Sequence, residues 1–551
     1  MTKKLTPFLI VILLVSMFIV TVQLPVVGAA GNSWTTKESM PTARGGLGVA
    51  VVNDQIYAIG GSNNDTQLGV TEEYNPVTDT WTTKAPMPTR RSGFAIAVYQ
   101  NKIYCIGGTT GDSDNFVSGL TGVTEVYDPA TDTWNTTKTP MPTPRADLCA
   151  GVINDSIYCI GGKNYWGFDP YYRELNITEV YNPANDTWTT KADMPVPVFG
   201  CSSAVLNGKI YVIGGSRHFQ LGAELSPVSS NQVYDPENDT WSTGNHLPLA
   251  EGYGAAAVTN GVTAPKRIYF MGGSNGTGVY SPVPYAYDSA LDFWSAGASI
   301  PIPRVYLGLA VVDDVLYAIG GFDGENWLNV TEQYVPLGYG SVPPDLQVLS
   351  PENKTYPSNN LTLVLSVNRP TTWIGYSLDD QANITVKGDT ELDGLSDGEH
   401  SVTVYVNDTF GNLVSSDTVQ FSVDTFAPQI MVFSPENKTY GGSDIQTVFT
   451  VDEPTSWMGY SLDGEDNVTV TGNVTLAALS TGSHNITFYA IDLVGNTGTS
   501  GTIYFEISPF PTVLIVAVAV TITITAAATY LFLKRKKTVT KNTKQNSNTS
   551  Q

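Results

Sequence analysis

Four arginines, Arg44, Arg91, Arg145 and Arg304, close proline turns of one type, MPTAR, MPTRR, MPTPR and IPIPR. Four glutamates, Glu72, Glu125, Glu179 and Glu332, stand two residues before a tyrosine in the same four stretches. Two further stretches lack the pair together: one has Val198 with Gln232, the other Glu251 with Tyr285. A ring of guanidinium groups could hold an anion. Residues present and absent together point instead to mutual contact, so the set reads as structural ion pairs before it reads as a ligand ring.

A second group suits recognition. The stretch KNYWGFDPYYRELN (163–176) carries Tyr165, Trp166, Phe168, Tyr171, Tyr172 and Arg173, and Arg217, His218 and Phe219 follow in the equivalent place one repeat later. Aromatics beside arginine fit the apolar faces and hydroxyls of sugars, or a protein hot spot. The same composition also suits a loop packed on itself. Catalysis has little to draw on, because the chain has four histidines and only His218 and His246 lie in 31–342. Asp112-Ser113-Asp114-Asn115 lacks the complete ligand loop of a dedicated Ca²⁺ site and reads as an acidic loop. No Cys-x-x-Cys pair suggests zinc. The expectation is therefore no enzyme, no metal and no cofactor.

These residues are positioned by a repeat. A Gly doublet recurs at Gly60-Gly61, Gly107-Gly108, Gly161-Gly162, Gly214-Gly215, Gly272-Gly273 and Gly320-Gly321, each closing an apolar run such as QIYAIGG or KIYVIGG. A second apolar run precedes it across an Asn-Asp or Asn-Gly type turn, the signature of a hairpin. A third run ends in Tyr, and Trp follows seven residues later in five copies, from Tyr74 and Trp81 to Tyr287 and Trp294. The sixth copy has Ser341 there, while Trp34, in NSWTTKESMP, has a fourth-strand context with no strands before it. The N-terminal strand is thus expected to complete the last unit and close a ring.

Doublet, Tyr and Trp at this period resemble kelch repeats, and six of them imply a six-bladed kelch β-propeller over 31–342. Fold alone does not fix function. Kelch enzymes similar to galactose oxidase need two His and a Tyr-linked Cys around copper, and no spacing here matches that. No motif beyond the shared blade carries over the acid/base residues of the six-bladed bacterial sialic acid mutarotase. From the second Gly of the doublet to the Tyr, the six blades take 13, 19, 19, 19, 14 and 13 residues, so blades two to four raise one side of a face. Long loops on a rigid scaffold are where binding tends to sit.

The ends and the charge set the context. Residues 1–30 read as a secretory signal, with Lys3 and Lys4, an apolar run and small residues Gly28-Ala29-Ala30. Residues 512–533 are uncharged and precede Lys534-Arg535-Lys536-Lys537, which predicts a transmembrane helix with 534–551 as a cytoplasmic tail. Between them, 20 Lys and Arg face 51 Asp and Glu, which argues against nucleic acid. Sixteen Asn-x-Ser/Thr sequons in that span, Asn64, Asn353 and Asn485 among them, fit an exterior location. Cys105, Cys149, Cys159 and Cys201 allow three pairings or free buried thiols.

From Pro343 the period changes. LSPENKTY (349–356) returns as FSPENKTY (433–440) and TTWIGYSLDD (371–380) as TSWMGYSLDG (455–464), both offset by 84 residues. The two units, 343–425 and 426–508, look like the Ig-like modules of prokaryotic, especially archaeal, surface proteins. Trp373 and Trp457 are expected as core anchors. The fold class is all-β: six-bladed kelch propeller, two Ig-like β-sandwiches and a C-terminal transmembrane helix. The reading is a single-pass type I surface protein that binds an extracellular protein or glycan, with a glycan-modifying enzyme or a ligandless envelope component as alternatives.

Overall fold

The computed structural model describes residues 31–64, 66–111, 119–165, 172–218, 225–508 and 512–544. The expected signal segment, the Asp112 loop, Trp166, Phe168, Tyr171 and Phe219 lie outside the described residues. The chain divides into two compact units. The first holds everything described up to Asp345, with Asn368–Thr372 and Asn407–Val414; the second holds the rest.

Six four-stranded antiparallel sheets make up the propeller. Blade one runs Gly48–Val52, Gln55–Ile59, Thr71–Asn75 and Thr80–Lys84 in spatial order. Its second strand is buried almost throughout while its fourth is largely exposed, which is why the apolar run and the Thr-rich TWTTK differ so much in composition. Strands at 308–312, 315–319 and 331–335 form the sixth blade, and Ser33–Lys37 pairs with the last of them in register Trp34 to Tyr334. The expected closure through the N-terminal strand is the observed one.

The Gly doublet has a steric cause. Gly60 and Gly61 adopt φ of +59° and +96°. A Cβ on Gly60 would sit 2.8 Å from the Arg91 carbonyl oxygen, the atom that accepts from the Gly61 N–H at 3.0 Å. The inner ends of adjacent blades therefore touch backbone to backbone, which only glycine permits.

The outer ends are tied by a repeated lock. Tyr74 donates to the Asp79 carboxylate at 2.7 Å, the same oxygen accepts from the Glu38 N–H at 2.9 Å, and the Trp81 indole donates to the Glu38 carbonyl at 2.9 Å. The Tyr74 hydroxyl holds the Asp79 carboxyl below the usual carboxylate range. Asp132, Asp186, Asp239 and Asp292 repeat the arrangement with Tyr127, Tyr181, Tyr234 and Tyr287. Each of the five aspartates has positive φ, between 48° and 55°.

The paired Arg and Glu are ion pairs inside the blades. Arg44 meets Glu72 at 2.5 Å, Arg91 meets Glu125 at 2.9 Å, Arg304 meets Glu332 at 2.5 Å, and Arg145 pairs with Glu179. All four arginines are fully buried, and each donates a second time to a carbonyl of the second strand, as Arg44 does to Ala58 at 2.9 Å. They face no opening, so they form no ligand ring. Blade four substitutes a neutral solution: Gln232 accepts from the Val196 N–H at 2.8 Å and donates to its carbonyl at 3.0 Å. Cys149 and Cys201 form a disulfide between blades three and four, while Cys105 and Cys159 are free and buried.

The second unit repeats one arrangement of strands. In its first half a six-stranded sheet is built on Gly398–Asp408, and in its second half on Gly482–Asp492. The second half has a core of Phe449, Ile486, Phe488 and Phe505, with Met458, Tyr460 and Leu462 packed against it. That alternation puts Trp457 on the opposite face. The expectation that Trp373 and Trp457 anchor the cores is thereby corrected: both are half-buried and lie flat across glycines, a Cβ on Gly375 or Gly459 falling 2.4 Å from the indole. At the C-terminal end one helix spans Thr512–Lys544. Side chains are described there for 520–536 alone, and among the described residues no helix is long and apolar enough to cross a membrane.

Candidate ligand site at the mouth of the propeller

Two residues beyond the Arg position, each blade contributes one residue to a closed belt: Gly46, Gly93, Asp147, Gly200, Tyr253 and Tyr306. Gly93 N–H donates to the Gly46 carbonyl at 3.0 Å, Asp147 to Gly93 at 2.7 Å, Gly200 to Asp147 at 2.8 Å and Tyr253 to Gly200 at 2.8 Å. Tyr306 then donates to Tyr253 at 2.9 Å, and Gly46 to Tyr306 at 2.9 Å, which closes the circle. All six have φ between +54° and +61°. Glycine accepts that region freely, whereas a tyrosine there carries roughly 1–2 kcal/mol of strain. Backbone strain held in place by surrounding structure is characteristic of sites where side-chain placement matters.

Gly46, Gly93, Asp147 and Tyr306 of the belt line a cavity of about 330 Å³. Its aromatic wall, Tyr306, Phe322 and Trp327, comes from blade six. Tyr253 and Tyr306 rings lie 4.6 Å apart, Tyr306 lies 6.5 Å from Trp327, and Phe322 lies 5.0 Å from Trp327. A Cβ on Gly45 would meet the Trp327 ring at 2.7 Å, so the indole is seated closely on the backbone. The facing wall is polar: Ser62, Gln67, Ser92, Thr109, Asp147 and Lys163. Lys163 pairs with Asp147 at 2.7 Å and lies 5.4 Å over the Phe199 ring. Gln67 is 7 % exposed and donates to the Gly111 carbonyl at 3.1 Å, but its Oε1 has no partner. A buried acceptor left unpaired costs about 1–3 kcal/mol.

A larger groove, about 660 Å³, lies on the outer side between blades two and three, where the fourth strand is cut to Thr133–Asn135. Its lining joins turn residues around the Lys102–Asp128 pair to strand residues Tyr104, Val126 and Trp134 on the outer flank of the blades.

Of the recognition residues expected from sequence, those the structure describes lie on the loops of blades three and four, and none of them lines this cavity. Lys163–Tyr165 and Tyr172–Glu174 form a hairpin in which Tyr165 and Tyr172 are backbone partners. His218 stacks on Phe199 at 6.1 Å, and its N–H donates to Glu174 at 2.7 Å, linking the loops of blades three and four. Arg173 is exposed and Arg217 half-buried. The aromatic wall itself, Tyr306, Phe322 and Trp327, belongs to a short-loop blade and was not expected. The available signal was the column Gly, Gly, Asp, Gly, Tyr, Tyr that follows the Arg position.

Ring closure, blade order and the Tyr–Asp–Trp locks define a six-bladed propeller of the kelch class. The chain belongs to the Attractin/LZTR1 beta-propeller family, whose model matches residues 56–331. It is similar to "Kelch-like protein terF" of Aspergillus terreus, 31% identical over 197 residues that make up 34% of this chain and 41% of the relative. It is also similar to "Beta-scruin" of Limulus polyphemus, 30% identical over 37% of this chain and 22% of the relative. The chain thus spans less than half the length of these curated relatives. Among solved structures, one described as "Structure of YjhT" has a TM-score of 0.44 at 17% identity, covering 54% of this chain and 96% of that one.

Proposed function

We propose that this chain is a membrane-anchored surface protein that binds an extracellular protein or glycan through the mouth of its propeller. Kelch propellers generally bind protein partners. The observation that carries the reading is the belt cavity: the aromatic wall of Tyr306, Phe322 and Trp327, with Tyr306 on left-handed backbone, facing Gln67, Ser92, Thr109, Asp147 and Lys163. Aromatic faces opposite amide, hydroxyl and charged groups suit a sugar ring or a short polar peptide segment. The surface location is supported by the signal-like 1–30, by the uncharged 512–533 before Lys534-Arg535-Lys536-Lys537, and by the sequons. The Cys149–Cys201 disulfide agrees with an oxidising compartment. The two 84-residue units between propeller and helix, read as Ig-like modules, would act as a stalk.

The test is a glycan-array and cell-surface binding screen of the full chain in detergent beside Trp327→Ala and Gln67→Leu. Ligand binding lost in both variants at unchanged melting temperature supports the reading. Binding that survives both changes and is lost on altering Arg173 and Arg217 would move the site to the loops of blades three and four. Protease protection of the propeller in intact cells would remove the surface location.

A further inference from the structure

Each 84-residue unit carries the same unusual constellation on the outer face of its sheet. In the first, the Trp373 indole lies across Gly375 and donates to the Thr385 hydroxyl at 3.0 Å. In the second, Trp457 lies across Gly459 and donates to Thr469 at 3.0 Å. The partner threonines are the third residues of the sequons Asn383-Ile384-Thr385 and Asn467-Val468-Thr469, and all six sequon residues are exposed. Gly375 pairs with Thr385 and Gly459 with Thr469 across adjacent strands. Asn383 and Asn467 stand immediately before the strands Ile384–Val386 and Val468–Val470, two residues and about 7 Å from the threonines. One sugar ring spans about that gap.

The indole nitrogen is already satisfied, so what remains for a partner is the apolar ring face. A half-buried indole seated on a glycine, beside an exposed asparagine in a sequon, is an arrangement for one occupant. We propose that Asn383 and Asn467 carry N-linked glycans whose first sugars lie on the Trp373 and Trp457 rings. The proposal rests on the surface location given above. The donor is a lipid-(pyro)phosphate-linked oligosaccharide. Asn Nδ2 loses a proton and bonds to the anomeric carbon, and the lipid (pyro)phosphate leaves with the bonding pair. Each glycan then covers the ring face that the fold leaves open, and sheathes the outer sheet of its module.

The experiment uses the full chain purified from its own cells and from a host without N-glycosylation. Glycopeptide mass spectrometry reads occupancy at Asn383 and Asn467. Hydrogen exchange reads protection of the strand Thr455–Leu462 in the parent, Asn467→Gln, Trp457→Ala and the double variant. Expected are glycans at both asparagines and a loss of protection of about two- to tenfold in Asn467→Gln, the scale of one aromatic contact. That loss should vanish in the Trp457→Ala background and in protein from the second host. Thr469→Ala, which abolishes the sequon and keeps the asparagine, should copy Asn467→Gln in occupancy. Bare Asn383 and Asn467 beside glycans at other sequons would overturn the proposal and leave the surface location standing. Glycans without coupling to Trp457 would overturn the stacking. A chain bare at every sequon and protease-protected in cells would overturn both this proposal and the surface reading.

Discussion

The Asn32 side-chain oxygen accepts from the Tyr334 hydroxyl at 2.8 Å across 302 residues of sequence, and it also accepts from the Ala298 N–H. The Trp34 indole donates to the Ala298 carbonyl at 2.8 Å. Asn32, at φ +63°, therefore fills in the sixth blade the place that aspartate holds in the other five. Burial pushes the Tyr334 hydroxyl up to about 12. Asn32→Ala leaves that hydroxyl and the Ala298 N–H without their acceptor, a loss of about 1–3 kcal/mol. Asn32→Asp should be tolerated. Thermal denaturation of both variants decides: an unchanged melting temperature for Asn32→Ala would mean that the ring is closed by strand pairing alone.

Blade four shows how a blade does without its ion pair. Removing only Arg145 or only Glu179 leaves a buried uncompensated charge, at about 3–5 kcal/mol. Arg145→Val with Glu179→Gln copies Val198 and Gln232 and should cost far less than either single change. A double variant as unstable as the sum of the singles in denaturant titration would show that the blades are not interchangeable.

Glu251 occupies the Arg position of blade five, is 1 % exposed, and has an unpartnered Oε2. Burial raises its pKa to about 7. Because the folded value lies above the unfolded one, stability is full below about pH 4.5 and falls as pH rises to about 7, by on the order of 3 kcal/mol. Glu251→Gln should flatten that dependence. Melting curves from pH 4.5 to 8 that fall equally in parent and variant would assign the slope to other groups.

In the first 84-residue unit Arg369 pairs with Asp408 at 3.1 Å. The equivalent position of the second unit is Glu453, which lies with Asp424 and Asp492 in one acidic corner. Desolvation and the neighbouring Asp424 and Asp492 raise the Glu453 pKa. Glu453→Arg should therefore raise the melting temperature of the second module, more so at low salt. A lower melting temperature would show that the corner requires its negative charge.

Tyr306→Gly separates stability from recognition. It relieves roughly 1–2 kcal/mol of left-handed strain and forfeits aromatic contacts of about 0.5–1.5 kcal/mol, so the melting temperature should barely move. Ligand binding should be lost. A strongly destabilised Tyr306→Gly would make the tyrosine a structural element of the belt.

Sequence by itself determined whatever repeats locally. Gly doublets, Tyr and Trp at a fixed spacing follow from backbone sterics and strand alternation within one blade, so blade count, N-terminal closure and the Arg–Glu pairs were all legible. The 84-residue duplication was legible for the same reason. Tertiary structure alone decided what meets across the ring. Asp147, Tyr253 and Tyr306 are single residues about 50 apart in sequence, and only closure of all six blades joins them in one belt. Cys149 and Cys201 differ by one residue in repeat alignment, and their pairing depends on how blades three and four abut. The face taken by Trp457 depended on a register shift between Thr455 and Trp457, and a slip of one residue sends every following side chain to the other side of a sheet.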